Sequence, residues 1–336
     1  MKLSTPRWWY RRTPPPTWAR LVLAPAAHLF ATLTARRLRK TVPVRVGAFV
    51  ISVGNLTVGG AGKTPVAREL ARLLTAQGLA VNVLSRGYGG SERGPLRVDP
   101  QRHTAAEVGD EPLMLSADVP VIIARDRVAG AEAAVKAGAR VNVLDDAHQN
   151  PALVKDLSII VVDGECRDGE WPFGYGDICP LGPLREPFAV GLARADLVVV
   201  VLPVGLETLD ETLRQALSAK PICVARLHPN QPGNDQPVFG FAGVAKPWKV
   251  ERALTAAGWP LVGFQAFADH RPYGAHELAA LQAEAAKRGA ILATTEKDLA
   301  RLPPAFRDQV QVFTIALRFD DEAQVLAAVK GALSEP

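Results

Sequence analysis

The strongest chemical signal in this chain of 336 residues is a glycine-rich loop between a predicted buried strand and a predicted helix, VISVGNLTVGGAGKTP over 50–65. Glycines allow backbone N–H groups to close around phosphate oxygens, and the start of the helix adds its positive end. In such loops the lysine reaches the β- and γ-phosphates of a nucleotide, and the hydroxyl after it binds Mg²⁺. The predicted phosphate-binding residues are Gly59, Gly60, Ala61, Gly62, Lys63 and Thr64.

The loop departs from the strict phosphate-loop pattern at one position. The pattern G-x-x-x-x-G-K-[ST] requires glycine five residues before Gly62, and this chain has Thr57 there. Gly59 and Gly60 supply the backbone freedom instead. Strand, loop and helix still follow one another in the order that nucleotide phosphate binding requires, so we retain that interpretation.

A phosphate loop needs a second anchor for Mg²⁺, commonly an aspartate at the end of a buried strand. The adjacent Asp145 and Asp146 follow VNVL, and Asp163 follows SIIVV. Two neighbouring carboxylates repel each other unless a cation compensates them, which favours Asp145 and Asp146, with Thr64, as the metal site. A lone aspartate followed by Gly164 is also typical of a turn or a helix N-cap, so both interpretations stay open for Asp163.

Short, continuous Val/Ile/Leu runs alternate with helical patterns along most of the chain. Such runs predict strands that are covered on both faces, and the alternation predicts a doubly wound, mostly parallel sheet. With the phosphate loop, this indicates an α/β core of the P-loop, RecA-like kinase type. The predicted strands of the core are 47–54, 79–87, 119–124, 140–146, 156–165 and 195–203.

Three regions follow from these patterns. Residues 1–45 form a membrane-surface amphipathic segment, residues 46–220 the P-loop nucleotide-binding core, and residues 221–336 a smaller α/β C-terminal domain. We place the second boundary near 220 because a Pro/Gly/Asn-rich loop, 228–237, precedes a restart of the strand–helix alternation.

The first 45 residues contain ten Lys and Arg residues and no acidic residue. Leu21, Pro25, Leu29 and Leu33 recur every four residues, which gives a predicted helix one apolar face. The apolar stretch is too short to span a bilayer, but it suits the surface of an anionic membrane. The alternative is a helix packed on the protein's own core. The aromatic residues expected at the membrane interface are Trp8, Trp9, Tyr10 and Trp18.

Composition limits the other functions. Hydrophobic residues make up 48% and charged residues 22% of the chain, which is typical of a globular protein. The formal charge of +5 comes from the first segment, which argues against a basic groove and a nucleic-acid partner. Cys166, Cys179 and Cys223 are too few and too scattered for a disulfide framework or a zinc cluster, so we expect reduced thiols.

In its motifs the chain resembles the tetraacyldisaccharide 4′-kinase family over nearly its whole length. Several motifs in the same order are more specific than the phosphate loop alone, and Thr57 is the residue that this family carries there. The motifs are PRWWY, SVGNLTVGGAGKTP, SRGYGG (85–90), GDEP (109–112), DD–Q (145–149), GPLREP (182–187), FAG–KP (241–247), ADHRPY (268–273) and TEKD (295–298).

The resemblance implies an enzyme that transfers phosphate from ATP, with Mg²⁺, to the 4′-hydroxyl of an acylated glucosamine disaccharide 1-phosphate. A substrate with four acyl chains stays in the bilayer, so the implied location is peripheral, at the cytoplasmic face of the bacterial inner membrane. The implied partners are ATP, the acylated disaccharide lipid and the anionic membrane surface, with no known protein partner and no nucleic acid.

The resemblance also implies roles for single residues. Asp110 falls on the proposed catalytic base, and His270 falls on the histidine thought to pair with it. Because the predicted domain boundary separates Asp110 from His270, we expect a cleft that closes around the substrates. Lys297 and Asp298 receive no firm role, since a helix N-terminus accounts for them. Further residues on active-site positions are Tyr88, Glu111, Gln149, Arg185 and Glu186.

The loop after the acidic pair departs from the family, which usually has DDGFQH where this chain has DDAHQN (145–150). Ala147 requires that the turn does not need a positive φ at that position. His148 replaces an apolar ring by a titratable one. The role of this loop, and with it a shifted acceptor, stays open on sequence grounds.

Two other functions stay open from the residues alone. A soluble P-loop synthetase or kinase acting on a small metabolite would be fully active without residues 1–40. A membrane-bound regulatory NTPase would hydrolyse ATP slowly and phosphorylate no acceptor. The basic-aromatic start, GDEP and the DH pair around one phosphate loop favour the lipid kinase.

Overall fold

The computed structural model describes residues 6–233, 235–269 and 272–334, which form two sheets with helices packed on them. The strands in this part of the chain are β1 (Phe49–Gly54), β2 (Val81–Ser85), β3 (Leu96–Arg97), β4 (Val121–Ile123), β5 (Val141–Asp145), β6 (Leu157–Asp163), β7 (Leu197–Leu202), β8 (Ile222–Pro229), β9 (Val238–Ala242), β10 (Leu261–Ala266), β11 (Ile291–Thr295), β12 (Val310–Phe313) and β13 (Ile315–Phe319). The helices are α1 (Thr17–Lys40), α2 (Lys63–Ala76), α3 (Ala105–Val108), α4 (Asp110–Leu115), α5 (Arg127–Lys136), α6 (Phe188–Ala193), α7 (Glu211–Leu217), α8 (Pro247–Ala256), α9 (Ala275–Lys287), α10 (Glu296–Leu299), α11 (Pro304–Arg307) and α12 (Glu322–Ser334).

The larger sheet has nine strands within the described residues, in the order β13-β8-β7-β6-β1-β5-β2-β4-β3. The seven inner strands are parallel, and the two edge strands, β13 and β3, are antiparallel to their neighbours. Strand order runs outward in both directions from β1, which is the doubly wound arrangement. The predicted fold class is therefore confirmed.

Alternation of side chains along the strands explains why the inner strands are apolar throughout. On β7, Val199 packs in one core cluster with Leu70 of α2, while Val198 and Val200 pack in another with Leu213 of α7. Successive side chains of a strand point to opposite faces, so a strand covered on both faces must be apolar at every position. The whole of β7 is buried.

The smaller sheet is parallel, in the order β10-β9-β11-β12. Phe241 at its centre is fully buried and meets the ring of Tyr273 edge to face, with 5.5 Å between the centroids. Trp259 and Phe313 form a similar pair, with centroids 5.7 Å apart, on the cluster that contains Leu254 of α8. This sheet therefore has its own aromatic core.

The predicted domain boundary near residue 220 does not coincide with the change of sheet. β8 pairs with β7 in the larger sheet, and the chain returns to that sheet at β13, where Leu317 lies opposite Leu227. Val325 and Val329 of α12 then pack in the core of the larger sheet. The smaller sheet is thus an insertion between two adjacent strands, a long-range pairing that local sequence patterns do not reveal.

The N-terminal helix α1 runs through Pro25 and contacts the protein through small residues. Ala19 and Ala27 are its buried positions and pack with Leu181. Leu23 also packs on this cluster, but other large apolar side chains face away from the protein: Leu21 is 75% and Leu29 59% exposed. No helix of the described residues is long and apolar enough to cross a membrane.

The expectation that all the N-terminal aromatic residues reach a membrane interface is wrong for two of them. Trp9 and Tyr10 are buried, whereas Trp18 is exposed. Trp8 donates its Nε1–H to the carbonyl of Leu181, 3.2 Å away. The cause is that residues 7–10 form a short 3-10 helix that packs on the protein before α1 begins.

Candidate active site

The phosphate loop lies between β1 and α2, as predicted. Gly59 and Gly62 have φ angles of 107° and 91°, which residues with a side chain rarely adopt. A Cβ at Gly62 would also lie 3.3 Å from the methyl groups of Val201 on β7. Glycine at these two positions therefore gives the loop its shape.

Strand order brings the acidic residues to this loop. β1 lies between β5 and β6, and all three run parallel, so their carboxyl ends reach the same edge of the sheet. Val53 of β1 is in register with Asp145, the last residue of β5. Arg127 fixes that strand end by donating to the backbone carbonyls of Leu84, at 3.0 Å, and Asp145, at 2.9 Å.

The acidic pair contacts the two residues that begin α2. The Thr64 hydroxyl donates to Asp145 Oδ2 at 3.1 Å, and Lys63 Nζ lies 3.7 Å from Asp146 Oδ1. Each carboxylate therefore has a different partner. The structure places the predicted phosphate-binding and metal-binding residues together.

The two carboxylates also differ electrostatically. Burial, with the nearby charges of Glu111 and Asp146, raises the pKa of Asp145 to about 7. Burial opposes ionisation of Asp146 as well, but Lys63 and Arg185 reverse its effect and lower the pKa of Asp146. Asp146 is thus the firmly charged member of the pair, and Asp145 titrates near neutrality until a cation joins it.

The surroundings of Asp145 fit a magnesium ion. Asp145 Oδ1 is buried, and no group of the described residues lies within hydrogen-bond distance of it. Buried carboxylate oxygens normally have a partner, and Mg²⁺ prefers oxygen ligands, commonly one or two protein oxygens with substrate phosphates. Thr64 and Asp145 are the residues that would hold the ion, while Asp146 faces the cationic side chains.

Arg185 also contacts the acidic pair, through Asp146. Its guanidinium donates to both carboxylate oxygens of Asp146, at 2.7 and 3.2 Å, and its Nε donates to the carbonyl of Thr57 at 3.0 Å. Gln149 donates to Glu186 at 2.9 Å. The GPLREP segment therefore joins the phosphate loop to the acidic pair, and it places three of the predicted residues in one hydrogen-bonded group.

The loop that departs from the family pattern has a structural explanation. Asp146 has the positive φ, 52°, so Ala147 occupies a position that needs no glycine. His148 is buried, with Nε2 3.0 Å from the Gly191 carbonyl. Burial, with the charges of Arg194 and Lys155, lowers the pKa of His148 to about 4, so the ring is neutral at pH 7 and packs as part of the core.

Residues of the GDEP motif meet the smaller sheet through Lys297. Lys297 Nζ lies 3.1 Å from Glu111 Oε1, 3.3 Å from Asp269 Oδ1 and 3.9 Å from Asp110 Oδ2. Arg301 Nε lies 3.7 Å from Asp110 Oδ2. Burial opposes the charge of Lys297, but the three acids prevail and raise its pKa. The carboxylate predicted to act as base is therefore held by cations from the smaller sheet.

His270 lies outside the described residues, so its pairing with Asp110 stays a prediction. Its neighbour Asp269 is described and reaches Lys297. The cleft between the two sheets that the motif spacing predicts is present at this point of the molecule.

Lys297 and Asp298, which received no role from their sequence pattern, are both held by contacts at the cleft. Asp298 is fully buried and accepts hydrogen bonds from the Tyr273 hydroxyl at 2.5 Å and the Gly243 backbone at 2.9 Å. The Thr295 hydroxyl caps α10 by accepting from the Asp298 N–H. The helix N-terminus was thus predicted correctly, but only the fold shows that it directs Lys297 across the cleft.

Asp163 is paired with two lysines in this structure. It accepts from Lys246 Nζ at 2.8 Å and is also paired with Lys249. Both lysines lie at the start of α8. Burial opposes its ionisation, yet Lys249 and Lys246 hold the pKa of Asp163 below its usual range. Its Oδ1 accepts from the backbone of Glu165 at 3.1 Å, so the turn interpretation holds in part.

A cleft of about 1910 Å³ connects these groups. The phosphate loop, Asp145, Asp146 and Tyr88 line it, and Tyr88 is largely exposed. At one end it reaches α1, where Phe30 and Arg37 contribute to the wall. The arrangement can hold phosphate groups near the carboxylate predicted to act as base, and it extends to α1.

Comparison with known proteins agrees with this arrangement. Residues 19–334 match the family model described as tetraacyldisaccharide-1-P 4′-kinase. The tetraacyldisaccharide 4′-kinase of Caulobacter vibrioides (strain NA1000 / CB15N) is 55% identical over 332 residues, 98% of this chain and 99% of that protein. That of Phenylobacterium zucineum (strain HLK1) is 55% identical over 334 residues, 98% and 100% of the two chains.

A solved structure supports the same assignment. The crystal structure of LpxK from Aquifex aeolicus in complex with ATP has a TM-score of 0.70 and 25% sequence identity, covering 93% of this chain and 99% of that one. The match thus extends over nearly the whole of both chains. This chain therefore belongs to the tetraacyldisaccharide-1-P 4′-kinase family.

Proposed function

We propose that this protein transfers the γ-phosphate of ATP to the 4′-hydroxyl of a tetraacylated glucosamine disaccharide 1-phosphate, a step of lipid A biosynthesis. The observation that carries the proposal is that one cleft is lined by the phosphate loop, by Glu111 and Lys297, and by residues of α1. Glu111 and Lys297 both contact Asp110. Family membership supports the reaction class, and the residues that line the cleft support the places proposed for donor and acceptor.

The phosphate-loop residues bind the ATP phosphates. Backbone N–H groups of Gly59 to Lys63 converge on phosphate oxygens, and the Lys63 ammonium neutralises charge that develops during transfer. Burial lowers the pKa of Lys63 and the charge of Asp146 opposes this effect, so Asp146 supports the cationic form of the lysine. Mg²⁺, when bound through Thr64 and Asp145, supplies further neutralisation of the β- and γ-phosphates.

Asp110 acts as the general base. As the 4′-oxygen bonds to the γ-phosphorus and the bond from that phosphorus to the β–γ bridging oxygen breaks, the hydroxyl proton passes to the Asp110 carboxylate. Phosphoryl transfer needs this proton acceptor late, so placement of the carboxylate matters more than its basicity. His270 is proposed to pair with Asp110, while Lys297 and Arg301 hold the carboxylate in position.

Arg185 and its neighbours position the acceptor side. The bidentate contact with Asp146 fixes the guanidinium beside the phosphate loop, where planar donors suit phosphate oxygens. Tyr88 is proposed to contact a substrate at the open side of the cleft. Gln149 and Glu186 support the loop that carries the acidic pair.

The exposed side of α1 is proposed to rest on the cytoplasmic face of the inner membrane. Trp18, Leu21, Leu29 and Leu33 are more than half exposed. Basic residues of the segment face an anionic headgroup layer, to which each Lys or Arg near the surface contributes about 1 kcal/mol. A substrate held in the bilayer by four acyl chains then reaches the cleft end at Phe30.

The proposal is tested by phosphate transfer from γ-labelled ATP to a tetraacyl glucosamine disaccharide 1-phosphate in detergent micelles with Mg²⁺. We expect labelled lipid with the wild type and at least a hundredfold slower transfer with Lys63→Met, since removing one charge-stabilising group costs about 10²–10³ in rate. Lys136→Met removes an exposed lysine from the end of α5 and serves as the matched control. Hydrolysis of ATP without labelled lipid would contradict the proposed acceptor.

A further inference from the structure

The N-terminal segment before α1 is joined to the body of the protein by backbone contacts. The Tyr10 carbonyl accepts from the Trp171 N–H at 2.8 Å. The Trp9 carbonyl packs so closely on Gly174 that a Cβ there would lie 2.4 Å from it. Arg12 stacks on the Trp171 ring, 3.6 Å from its centroid. This segment therefore has a fixed place and is not only a tether for the helix.

The buried side chain of Tyr10 lies where three parts of the molecule meet. A Cβ built on Gly59 in the phosphate loop would lie 3.5 Å from its hydroxyl. Lys246 Nζ lies 4.1 Å from the centre of its ring, and the Trp248 ring meets it edge to face at 6.2 Å. The side chain of Tyr10, from the N-terminal segment, therefore lies against the phosphate loop and against Lys246 and Trp248.

The Val58 N–H donates to the Pro183 carbonyl at 2.7 Å, but within the described residues the following glycines, Gly59 and Gly60, have few contacts. Asn55 Nδ2 donates to the Gly59 carbonyl at a long 3.4 Å. A Cβ at Gly60 would meet no atom of the described residues within 4 Å. A glycine-rich loop loses more conformational entropy on ordering than other loops do. A side chain that holds the loop in its bound conformation therefore lowers the entropic cost of binding phosphate.

The cation beside Tyr10 is itself held in place. Lys246 donates to Asp163 at the end of β6, next to β1 and the phosphate loop. The ring of Tyr10 therefore packs against a lysine that is fixed to the larger sheet. A desolvated cation–π contact of this kind adds to the packing of the ring.

We propose that Tyr10 is a positioning residue of the nucleotide site. Its hydroxyl beside Gly59 and its ring over Lys246 hold the glycine-rich loop and this lysine in the arrangement that receives the ATP phosphates. The inference rests on the proposed function only for the identity of the nucleotide as ATP. It predicts that the N-terminal segment contributes to nucleotide affinity as well as to any membrane contact.

The test is the Kd of Mg-ATP, measured by calorimetry on the full chain without acceptor lipid. We expect Tyr10→Leu and Tyr10→Met to weaken binding about tenfold, since ring packing and the cation–π contact are both lost. Tyr10→Phe keeps the ring over Lys246 but loses the hydroxyl beside Gly59, so we expect an intermediate loss of about threefold. Tyr175→Leu, at an exposed tyrosine of the neighbouring loop, is the control and should not change the Kd.

Melting temperatures without nucleotide set an assay temperature at which every variant is folded. Wild-type affinity in both aliphatic variants, or equal weakening in Tyr175→Leu, would overturn the inference. A change confined to the KM for the lipid would also overturn it. Failure of the wild type to phosphorylate the lipid would refute the proposed function instead, and it leaves the Kd comparison unaffected.

Discussion

At the scale of single residues, the adjacent Asp145 and Asp146 have different partners. Asp145 accepts from Thr64 and has a buried oxygen suited to a cation, whereas Asp146 pairs with Lys63 and Arg185. The backbone makes this possible, because the positive φ of Asp146 turns neighbouring side chains in different directions. A pair of like charges is thus stabilised by giving each one a separate partner.

Arg185→Lys should lower kcat by about ten- to a hundredfold, although it keeps the charge. A lysine cannot donate to both oxygens of Asp146 and to the Thr57 carbonyl together, so the planar contact is lost. The measurement is steady-state transfer to the disaccharide lipid. Arg214→Lys, on the exposed side of α7, is the matched control, and equal rates in both variants would show that Arg185 acts only through its charge.

His148→Phe, which introduces the family's usual residue, should leave kcat within about threefold of the wild type. The ring is buried and neutral at pH 7, so its role is packing rather than proton transfer. The lost partner of the Gly191 carbonyl should cost about 1 kcal/mol of unfolding free energy. Kinetics and urea unfolding test this, and a hundredfold loss of kcat would assign His148 to the chemistry.

At the scale of elements, two short helices, α4 and α10, bring Asp110 and Lys297 together. α4 begins with Asp110, and α10 directs Lys297 toward it from the other sheet. α10 is only four residues long, so its position depends on the buried Asp298 contacts rather than on helix propensity. A sequence pattern of four residues contains no information on such tertiary support.

Lys297→Met should reduce kcat at least tenfold with little change in the Kd of Mg-ATP. The variant leaves Asp110 and Glu111 without a cation that holds them across the cleft, while the phosphate loop is untouched. Lys297→Arg should recover part of the rate. Lys287→Met, at an exposed position of α9, is the control. A loss of ATP affinity with kcat intact would place Lys297 in the nucleotide site instead.

The exposed side of α1 should determine membrane binding. Replacing both Leu29 and Leu33 by Glu puts two anionic groups on the apolar stripe, and we expect at least tenfold weaker binding to anionic vesicles in sedimentation. Folding should be unaffected because both side chains face away from the protein. Leu333→Glu, at an exposed leucine of α12, is the control for added charge. Unchanged vesicle binding of the double variant would argue for a different membrane contact.

At the scale of the whole molecule, the two sheets are joined by buried ion pairs as well as by the chain. Asp163 at the end of β6 holds Lys246 and Lys249 from the start of α8. Removing one partner of a buried pair leaves an uncompensated charge, which costs more than the pair itself gains. This contact therefore holds the start of α8 against the end of β6.

Asp163→Asn should lower the free energy of unfolding by about 3–5 kcal/mol at pH 7. Because the lysines depress the pKa of Asp163 in the folded state, its contribution is present above the pKa of an ordinary aspartate and is lost as the pH falls below that value. The difference between variant and wild type should therefore shrink toward acid pH in urea titrations.

Asp320→Asn breaks the more exposed pair with Arg226 and should cost about 1 kcal/mol or less. Equal costs for the two variants at pH 7 would contradict the role given to Asp163.

Sequence reasoning was strongest where local patterns determine structure. The strand before the phosphate loop, the positive φ of Gly59 and the acid pair at the end of β5 follow from spacing and residue type, whereas Gly60, predicted to supply backbone freedom, has no positive φ. It failed at the return of the chain to the larger sheet at β13, which depends on pairing with a distant strand. It also misplaced Trp9 and Tyr10, because aromatic residues suit a buried contact and a membrane interface equally.

The most direct test of the central claim is to locate the new phosphate on the product. The disaccharide lipid is incubated with Mg-ATP, and the product is analysed by mass spectrometry and by ³¹P–¹H correlation. We expect a second phosphate on the 4′-oxygen with the wild type. With Asp110→Asn we expect at least a hundredfold less product and an unchanged Kd for Mg-ATP, whereas Asp308→Asn, at an exposed aspartate, should match the wild type. Phosphate at another position, or undiminished product with Asp110→Asn, would contradict the account.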